Sequence, residues 1–166
     1  GKLFQALSQS FGDPYAVSIT VHARTGLTSS DIITLLKQEQ NCRYDVAVVS
    51  TGVNDVTRFS SLKAWRSNLR QIHHCLLQQF LCNLVIYSAV PPMHAFPAIP
   101  QPLRFILGQR ASLLNRVLAS TVNMLPFSRL LQLNLFNLNG EAIAELMAED
   151  GFHPSDVGYA LWAEQI

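Results

Sequence analysis

An aspartate and a histidine near the end of the chain have the spacing of an acid–base pair. Asp150 and His153 lie in the segment Asp-Gly-Phe-His-Pro, which a helical pattern follows. On a loop that enters a helix, the Asp150 carboxylate can accept the imidazole Nδ1–H and leave Nε2 free to work on a nucleophile. The simpler alternatives are an acid favoured by the helix dipole and an imidazole that caps backbone groups.

A second polar segment, Thr-Gly-Val-Asn-Asp at residues 51–55, comes about a hundred residues earlier. The side-chain amide of Asn54 is a suitable donor to an oxyanion, although ordinary turn chemistry also explains an asparagine there. We interpret Asp55 as a turn or cap residue. Gly26, on a still earlier loop, is expected to adopt a positive φ.

Alternating strand and helix patterns position these residues. The apolar run at 45–50 is typical of a strand buried on both faces. Strands separated by helices imply right-handed crossovers and a parallel sheet, in which sites lie beyond the carboxyl ends of the strands. Strands are predicted at 15–22, 45–50, 84–89 and 130–135. Helices are predicted at 2–11, 31–38 (capped by Ser29 or Ser30), 61–80 and 103–124, and from Pro154 or Ser155 onward.

The composition favours one packed domain. The chain has 166 residues, of which 49% are hydrophobic and 14% charged, with a formal net charge of +1. This small net charge, with Lys and Arg interpreted as scattered, argues against nucleic acid or an anionic membrane surface as the main partner. No apolar run has the length of a membrane span.

The cysteines and histidines of this chain do not have the spacing that is typical of a metal site or a disulfide framework. The three cysteines are interpreted as buried or free thiols. The histidines outside the 150–154 segment are interpreted as isolated, so a metal site is not expected. We expect His73 and His74 at the surface or an interface, with at most one facing the core. The other two isolated histidines are His22 and His94.

Together, three segments resemble the motif blocks of the SGNH hydrolases, also called GDSL esterases and lipases. Residues 23–28 are similar to the second block, 51–55 to the third and 150–154 to the fifth, and their order and spacing fit as well. The resemblance implies an α/β fold, a flavodoxin-like three-layer α/β/α sandwich with a parallel sheet. It also implies hydrolysis of a small ester or acyl substrate by a Ser-His-Asp triad, without a metal or an organic cofactor.

The resemblance also implies roles for individual residues. His153 would be the general base and Asp150 its orienting partner. The backbone N–H of Gly26 and the side chain of Asn54 would form the oxyanion hole. The loop at 91–102 is predicted to form an acyl-binding wall that includes Met93 and Phe96; equally open is a loop that packs its own apolar residues.

The family's first block, a strand leading into Gly-Asp-Ser, has no counterpart in this sequence. We therefore expect residues 1–166 to be a single domain truncated at its N-terminus and slightly at its C-terminus, with the nucleophilic serine upstream. This chain alone is then expected to be inactive. An internal replacement is not favoured, because Ser50 is interpreted as a buried strand serine bonded to backbone and Ser29 and Ser30 as helix caps.

Two other readings stay open. An acyltransferase or a carbohydrate deacetylase would use the same chemistry with a different acceptor or substrate. A non-catalytic domain would keep the fold and use the cleft for binding or assembly. The oligomeric state is open, and so is the compartment, with the cytoplasm as the default and an upstream targeting segment as the alternative.

Overall fold

Three parallel strands form the sheet in the computed structural model, which describes residues 18–132 and 146–165. Their order is β1-β2-β3, with Val46 opposite Leu84 and Val85 opposite Ser128. In chain order the elements are α1 (Ser29–Gln38), β1 (Val46–Val49), α2 (Val53–Thr57), α3 (Leu62–Gln78), β2 (Leu84–Ser88), a 3-10 turn (Met93–Ala95), α4 (Leu103–Val122), β3 (Ser128–Leu131) and α5 (Asp156–Ala163).

Side-chain contacts from β2 show that helices cover both faces of the sheet. The Tyr87 hydroxyl lies 3.2 Å from Nδ1 of His73 on α3. Successive side chains on a strand point to opposite faces, so the next residue, Ser88, faces away from α3. There the indole N–H of Trp162 on α5 donates to the Ser88 hydroxyl at 3.2 Å. The predicted α/β sandwich with a parallel sheet is confirmed.

The core lies between the sheet and helices α3 and α4. Trp65 of α3 is fully buried, and its indole N–H donates to the Leu114 carbonyl of α4 at 3.1 Å. Burial of each large apolar side chain stabilises the fold by about 1.5–3 kcal/mol, and the tryptophan bond fixes how the two helices meet. Other buried contributors are Leu69, Ile72, Val85, Leu118 and Val122.

A buried carboxylate links three helices. Asp55 on α2 is 0% exposed, and its two oxygens accept bonds from the backbone N–H and the hydroxyl of Ser29 at 2.8 and 2.7 Å. The Asn68 side chain on α3 donates to the same hydroxyl at 2.9 Å. Asp55 therefore supplies the start of α1 with a negative charge and an acceptor, a capping role as expected from the sequence.

The residue predicted to cap α1, Ser29 or Ser30, is wrong. Thr28 caps this helix, because its hydroxyl accepts from the Asp31 N–H while the Asp31 carboxylate accepts from the Thr28 N–H. Ser29 is instead held by Asp55, and Ser30 is the second residue of the helix. The cap of α5 is Ser155, one of the two residues predicted to open this helix, which itself begins at Asp156.

Most predicted elements in the described residues are present, with shifted ends. The strand at 45–50 is not buried on both faces, because Val46 is exposed and Val49 is the one residue of β1 that is buried. Residues 18–22 of the first predicted strand have no strand pairing in the described residues. The strand predicted at 130–135 begins two residues earlier, at Ser128. The predicted helix at 2–11 and residues 133–135 lie outside the described residues.

Both histidines of α3 were expected at the surface or an interface, and this expectation is wrong for His73. His73 is buried beside Tyr87, and burial lowers the pKa of its imidazole, whereas His74 is exposed. At most one was expected to face the core, and this part of the expectation is confirmed. The three cysteines are free thiols, and Cys82 is the buried one.

Two absences concern the described residues only. No helix in 18–132 or 146–165 is both long and apolar enough to cross a membrane. Within the same two ranges, no three or more His, Cys, Asp or Glu side chains are grouped in a way that would hold a metal ion.

We expect replacement of Asp55 by Ala to lower the free energy of unfolding by about 2–4 kcal/mol, because two buried Ser29 donors lose a charged acceptor. Urea unfolding followed by circular dichroism measures this change. The matched control is Asp45→Ala, at an exposed aspartate, with an expected change within about 0.5 kcal/mol. Equal effects of the two substitutions would show that the Asp55 network is not a major source of stability.

Candidate active site

A short turn before α5 carries the predicted acid–base pair. Backbone bonds close it, since the Ala148 N–H donates to the His153 carbonyl and the Ser155 N–H to the Leu146 carbonyl, each at 2.8 Å. Gly151 sits in this turn with φ +62°, and a Cβ there would lie 3.1 Å from the Ala98 nitrogen. A glycine is needed both for the conformation and for the close approach of the neighbouring loop.

Asp150 and His153 are in direct contact. Oδ2 of Asp150 lies 2.6 Å from Nδ1 of His153, and Oδ1 accepts the backbone N–H groups of Phe152 and His153 at 2.9 Å each. The carboxylate thereby holds the backbone of the turn through Oδ1 and the imidazole through Oδ2. Nε2 of His153 has no partner among the described residues. The predicted hydrogen bond between the two side chains is present.

The same bonds explain the acidity of Asp150. The His153 side chain, followed by the His153 and Phe152 backbone N–H groups, lowers the pKa of the Asp150 carboxyl to about 2. It is therefore ionised at neutral pH and able to stabilise a protonated imidazole. Both side chains are open to solvent in the described residues, with about half of each exposed (50% and 58%).

Aromatic rings surround the imidazole on one side. The Phe152 ring meets the His153 ring at a centroid distance of 5.4 Å and an angle of 71°. Phe152 in turn stands edge-on to Phe96, with centroids 5.3 Å apart. Edge-to-face pairs of this kind restrict ring rotation and so limit the positions open to the imidazole.

Asn54 and Gly26 are brought together at the carboxyl end of β1. The Asn54 side-chain N–H donates to the Leu27 carbonyl at 3.0 Å. The Arg58 guanidinium donates to the Gly26 carbonyl at 3.1 Å. Gly26 has the expected positive φ, +84°. One of the two amide hydrogens of Asn54 thus orients the side chain, and the second stays available as a donor.

A cavity of about 180 Å³ lies beside Asn54. It is bounded on one side by residues 22–24 and Leu27, with Gly26 not among the residues that line it, and on the other by the ends of β1 and β2. Gly52 makes the turn possible, since its φ is +118° and a Cβ would lie 2.5 Å from Cγ2 of Val90. The Thr51 hydroxyl is buried without a hydrogen-bond partner in the described residues.

Ser50 also borders this cavity, and here the structure corrects the sequence interpretation. Ser50 is exposed and follows the last residue of β1, whereas a buried strand serine bonded to backbone was expected. Nothing in the described residues joins its hydroxyl to His153 by a hydrogen bond.

The six predicted site residues fall into three places. Asp150 and His153 form one pair, and Asn54 and Gly26 form a second group on the neighbouring loops. No hydrogen bond or ion pair within the described residues connects the two. The remaining two residues, Met93 and Phe96, are 0% and 4% exposed and belong to the core. The loop thus packs these side chains itself. Their role in substrate binding stays a prediction, and neither side chain has an exposed surface that would contact a substrate.

Several residues that the sequence did not single out hold these loops in place. Arg58 fixes Gly26, and Asn115 of α4 forms two bonds with the Val90 backbone at 2.8 Å each. Trp162 fastens α5, and with it the preceding turn, to the end of β2. These contacts join residues 25 to 74 positions apart, so no local sequence pattern predicts them.

Comparison with known proteins places these features in a family. The model of the GDSL-like lipase/acylhydrolase family matches residues 2–161. A variant of Axe2, an acetyl xylan esterase from Geobacillus stearothermophilus, matches with a TM-score of 0.62 and 18% identity over 97% of this chain and 74% of the esterase chain. A further Axe2 structure from the same organism gives 0.55 and 19% over 84% and 66%. These structural matches indicate a shared fold. No curated protein matched the sequence.

We expect the Asp150 carboxyl to titrate with a pKa of about 2. Its stabilising effect is then present above its ordinary pKa of 3.8 and is lost as the pH falls toward 2. His153→Ala should raise this pKa, because the largest cause is removed, but not to 3.8, because two backbone N–H donors remain. Carboxyl ¹³C NMR titration measures the shift. The control, His94→Ala, alters an exposed histidine elsewhere and should leave the pKa unchanged. A pKa that stays at about 2 in His153→Ala would contradict the assigned cause.

Proposed function

We propose an ester hydrolase mechanism for this chain from one premise: it belongs to the GDSL-like lipase/acylhydrolase family. The observation that carries the mechanism is the contact between Asp150 and Nδ1 of His153, with Nε2 unbonded within the part of the chain that the structure describes. In this proposal Nε2 removes the proton of a serine hydroxyl, and the serine oxygen attacks the ester carbonyl. Asp150 holds the imidazole in the required tautomer and stabilises its protonated form.

The oxyanion is assigned to the loops that border the cavity. The second amide hydrogen of Asn54 and the N–H of Gly26 would donate to the oxygen of the tetrahedral intermediate. In support, both residues are held by bonds to neighbouring backbone or side chains, so little reorganisation is needed when charge develops. The protonated His153 then gives its proton to the leaving alkoxide, and water repeats the sequence on the acyl-enzyme.

The nucleophile is proposed to be a serine upstream of Gly1. Support comes from the absence of a Gly-Asp-Ser block in the sequence and from the open cavity beside Asn54. Ser50 is the competing candidate inside the chain because it is exposed at the same cavity. A non-catalytic binding domain is the remaining alternative.

An acyl acceptor other than water is an open variant of the same chemistry. The names of the structurally similar esterases suggest acetylated carbohydrate as one substrate to test beside simple aryl acetates. Product analysis with added alcohols distinguishes hydrolysis from acyl transfer.

We expect His153→Ala to lower kcat for aryl acetate hydrolysis by about 10⁴–10⁶ in a polypeptide extended upstream, because the general base is lost. A fluorophosphonate probe, read by intact mass and peptide mapping, then identifies the nucleophile. An adduct on an upstream serine that requires His153 supports the proposal. An adduct on Ser50 that is lost in Ser50→Ala would show that the nucleophile lies within residues 1–166. If neither the extended polypeptide nor residues 1–166 formed an adduct, the non-catalytic alternative would be favoured.

We expect Asn54→Ala to lower kcat by about 10²–10³ with a small change in KM, as is typical for the loss of one oxyanion donor. Steady-state kinetics on the same extended polypeptide measures this split. The matched control is Asn83→Ala, at an exposed asparagine before β2, which should leave kcat unchanged. An effect of Asn54→Ala on KM alone would argue for a role in binding the ground state.

A further inference from the structure

The charged residues of this chain are segregated, not scattered as the small net charge suggested. Between Asp55 and Glu141 the sequence has no acidic residue. All acidic residues lie before or after this stretch, which builds helices α3 and α4. The basic residues within it are Arg58, Lys63, Arg66, Arg70, Arg104, Arg110, Arg116 and Arg129.

The positive charges of α3 lie on one exposed side of the helix. Lys63, Arg66 and Arg70 are all exposed, and their spacing of three and four residues places them along one stripe. Asn68, which contacts Ser29 at the start of α1, marks the opposite flank of α3. The stripe therefore lies on the flank away from α1, and Arg116 is exposed on the neighbouring helix α4.

Large apolar side chains are exposed on the same two helices and at the end of α2. On the first half of α4, Phe105 is 61% exposed and Ile106 46%. Phe59, 56% exposed, lies under the guanidinium of Arg110 at 4.9 Å from its ring centroid, which joins α4 to the end of α2. Leu62 and Leu113 extend the same apolar surface. We call this surface, with the stripe on α3, the α3–α4 face.

The chemistry of the α3–α4 face fits one kind of partner. Exposed Phe, Leu and Ile beside cations match a bilayer interface, where apolar groups enter the acyl boundary and cations meet anionic headgroups. A symmetric contact with a second copy would set cations against cations, and neither α3 nor α4 has an acidic residue to compensate. A nucleic acid would use the cations but not the apolar side chains.

We propose that the α3–α4 face binds the surface of an anionic lipid bilayer. The face begins at the carboxyl end of the sheet, because α4 starts after the loop that leaves β2 and Arg110 reaches the end of α2. The bound chain would therefore present the end that carries Asn54 and His153 near the lipid. This binding does not depend on the proposed catalytic mechanism.

Co-sedimentation with vesicles tests the proposal. We expect the chain to bind phosphatidylcholine vesicles containing phosphatidylglycerol but not pure phosphatidylcholine vesicles, and to dissociate as salt is raised. Arg66→Gln with Arg70→Gln should lower the partition coefficient about 25-fold, since each basic residue near a membrane contributes about fivefold. Phe105→Ser with Ile106→Ser should lower it at least about tenfold.

A matched control removes the same charge elsewhere. Lys37 and Arg43 are exposed outside the α3–α4 face, so Lys37→Gln with Arg43→Gln should leave binding unchanged. Circular dichroism melts of each variant separate lost binding from lost folding. Equal binding to both vesicle types, no binding at all, or equal loss in the control and the arginine variants would overturn the proposal. A dimer in sedimentation velocity that Phe105→Ser with Ile106→Ser abolishes, without vesicle binding, would assign the face to a second copy.

Discussion

The arrangement of the loops proposed to hold the oxyanion depends on one buried carboxylate. Asp55 is a single residue beyond Asn54, and its bonds to Ser29 fix the start of α1 against α2. Two residues before Ser29, Leu27 offers the carbonyl that orients the Asn54 amide. The buried carboxylate therefore helps to hold the backbone that the Asn54 amide contacts, although it touches neither of the groups proposed to bind substrate. Such a charge is tolerated because each of its two oxygens accepts a hydrogen bond from Ser29.

The acid–base pair follows a different principle. The Asp150 carboxylate binds His153 and two backbone N–H groups within three residues, so this motif organises its own geometry. A local motif of this kind can be read from sequence, which is why the contact between Asp150 and His153 was predictable. Its place on the molecule is not local, since it depends on Trp162 reaching Ser88 and on the packing of Phe152 against Phe96.

The expectations that were wrong involve competition between distant partners. Ser29 has the right type and position for a cap, but Asp55 takes its hydroxyl and Thr28 caps the helix instead. The apolar spacing of the loop at 91–102 does not indicate whether Met93 faces a cleft or the core, because that depends on how α4 closes over it. Strand positions were predictable from apolar runs, whereas the burial of β1 was not, because burial depends on which strands and helices lie beside it.

The openness of the site has a physical consequence for catalysis. Half of each side chain in the Asp150–His153 pair is exposed in the described residues, and water weakens the field of the carboxylate at the imidazole. The same screening would reduce the value of the Asn54 donor, since oxyanion stabilisation is strongest where water is excluded. The proposed mechanism therefore requires a cover that neither loop 22–27 nor the turn before α5 provides. On the side of His153, the Phe152 ring, which packs edge-on against Phe96, already supplies one apolar neighbour of the imidazole.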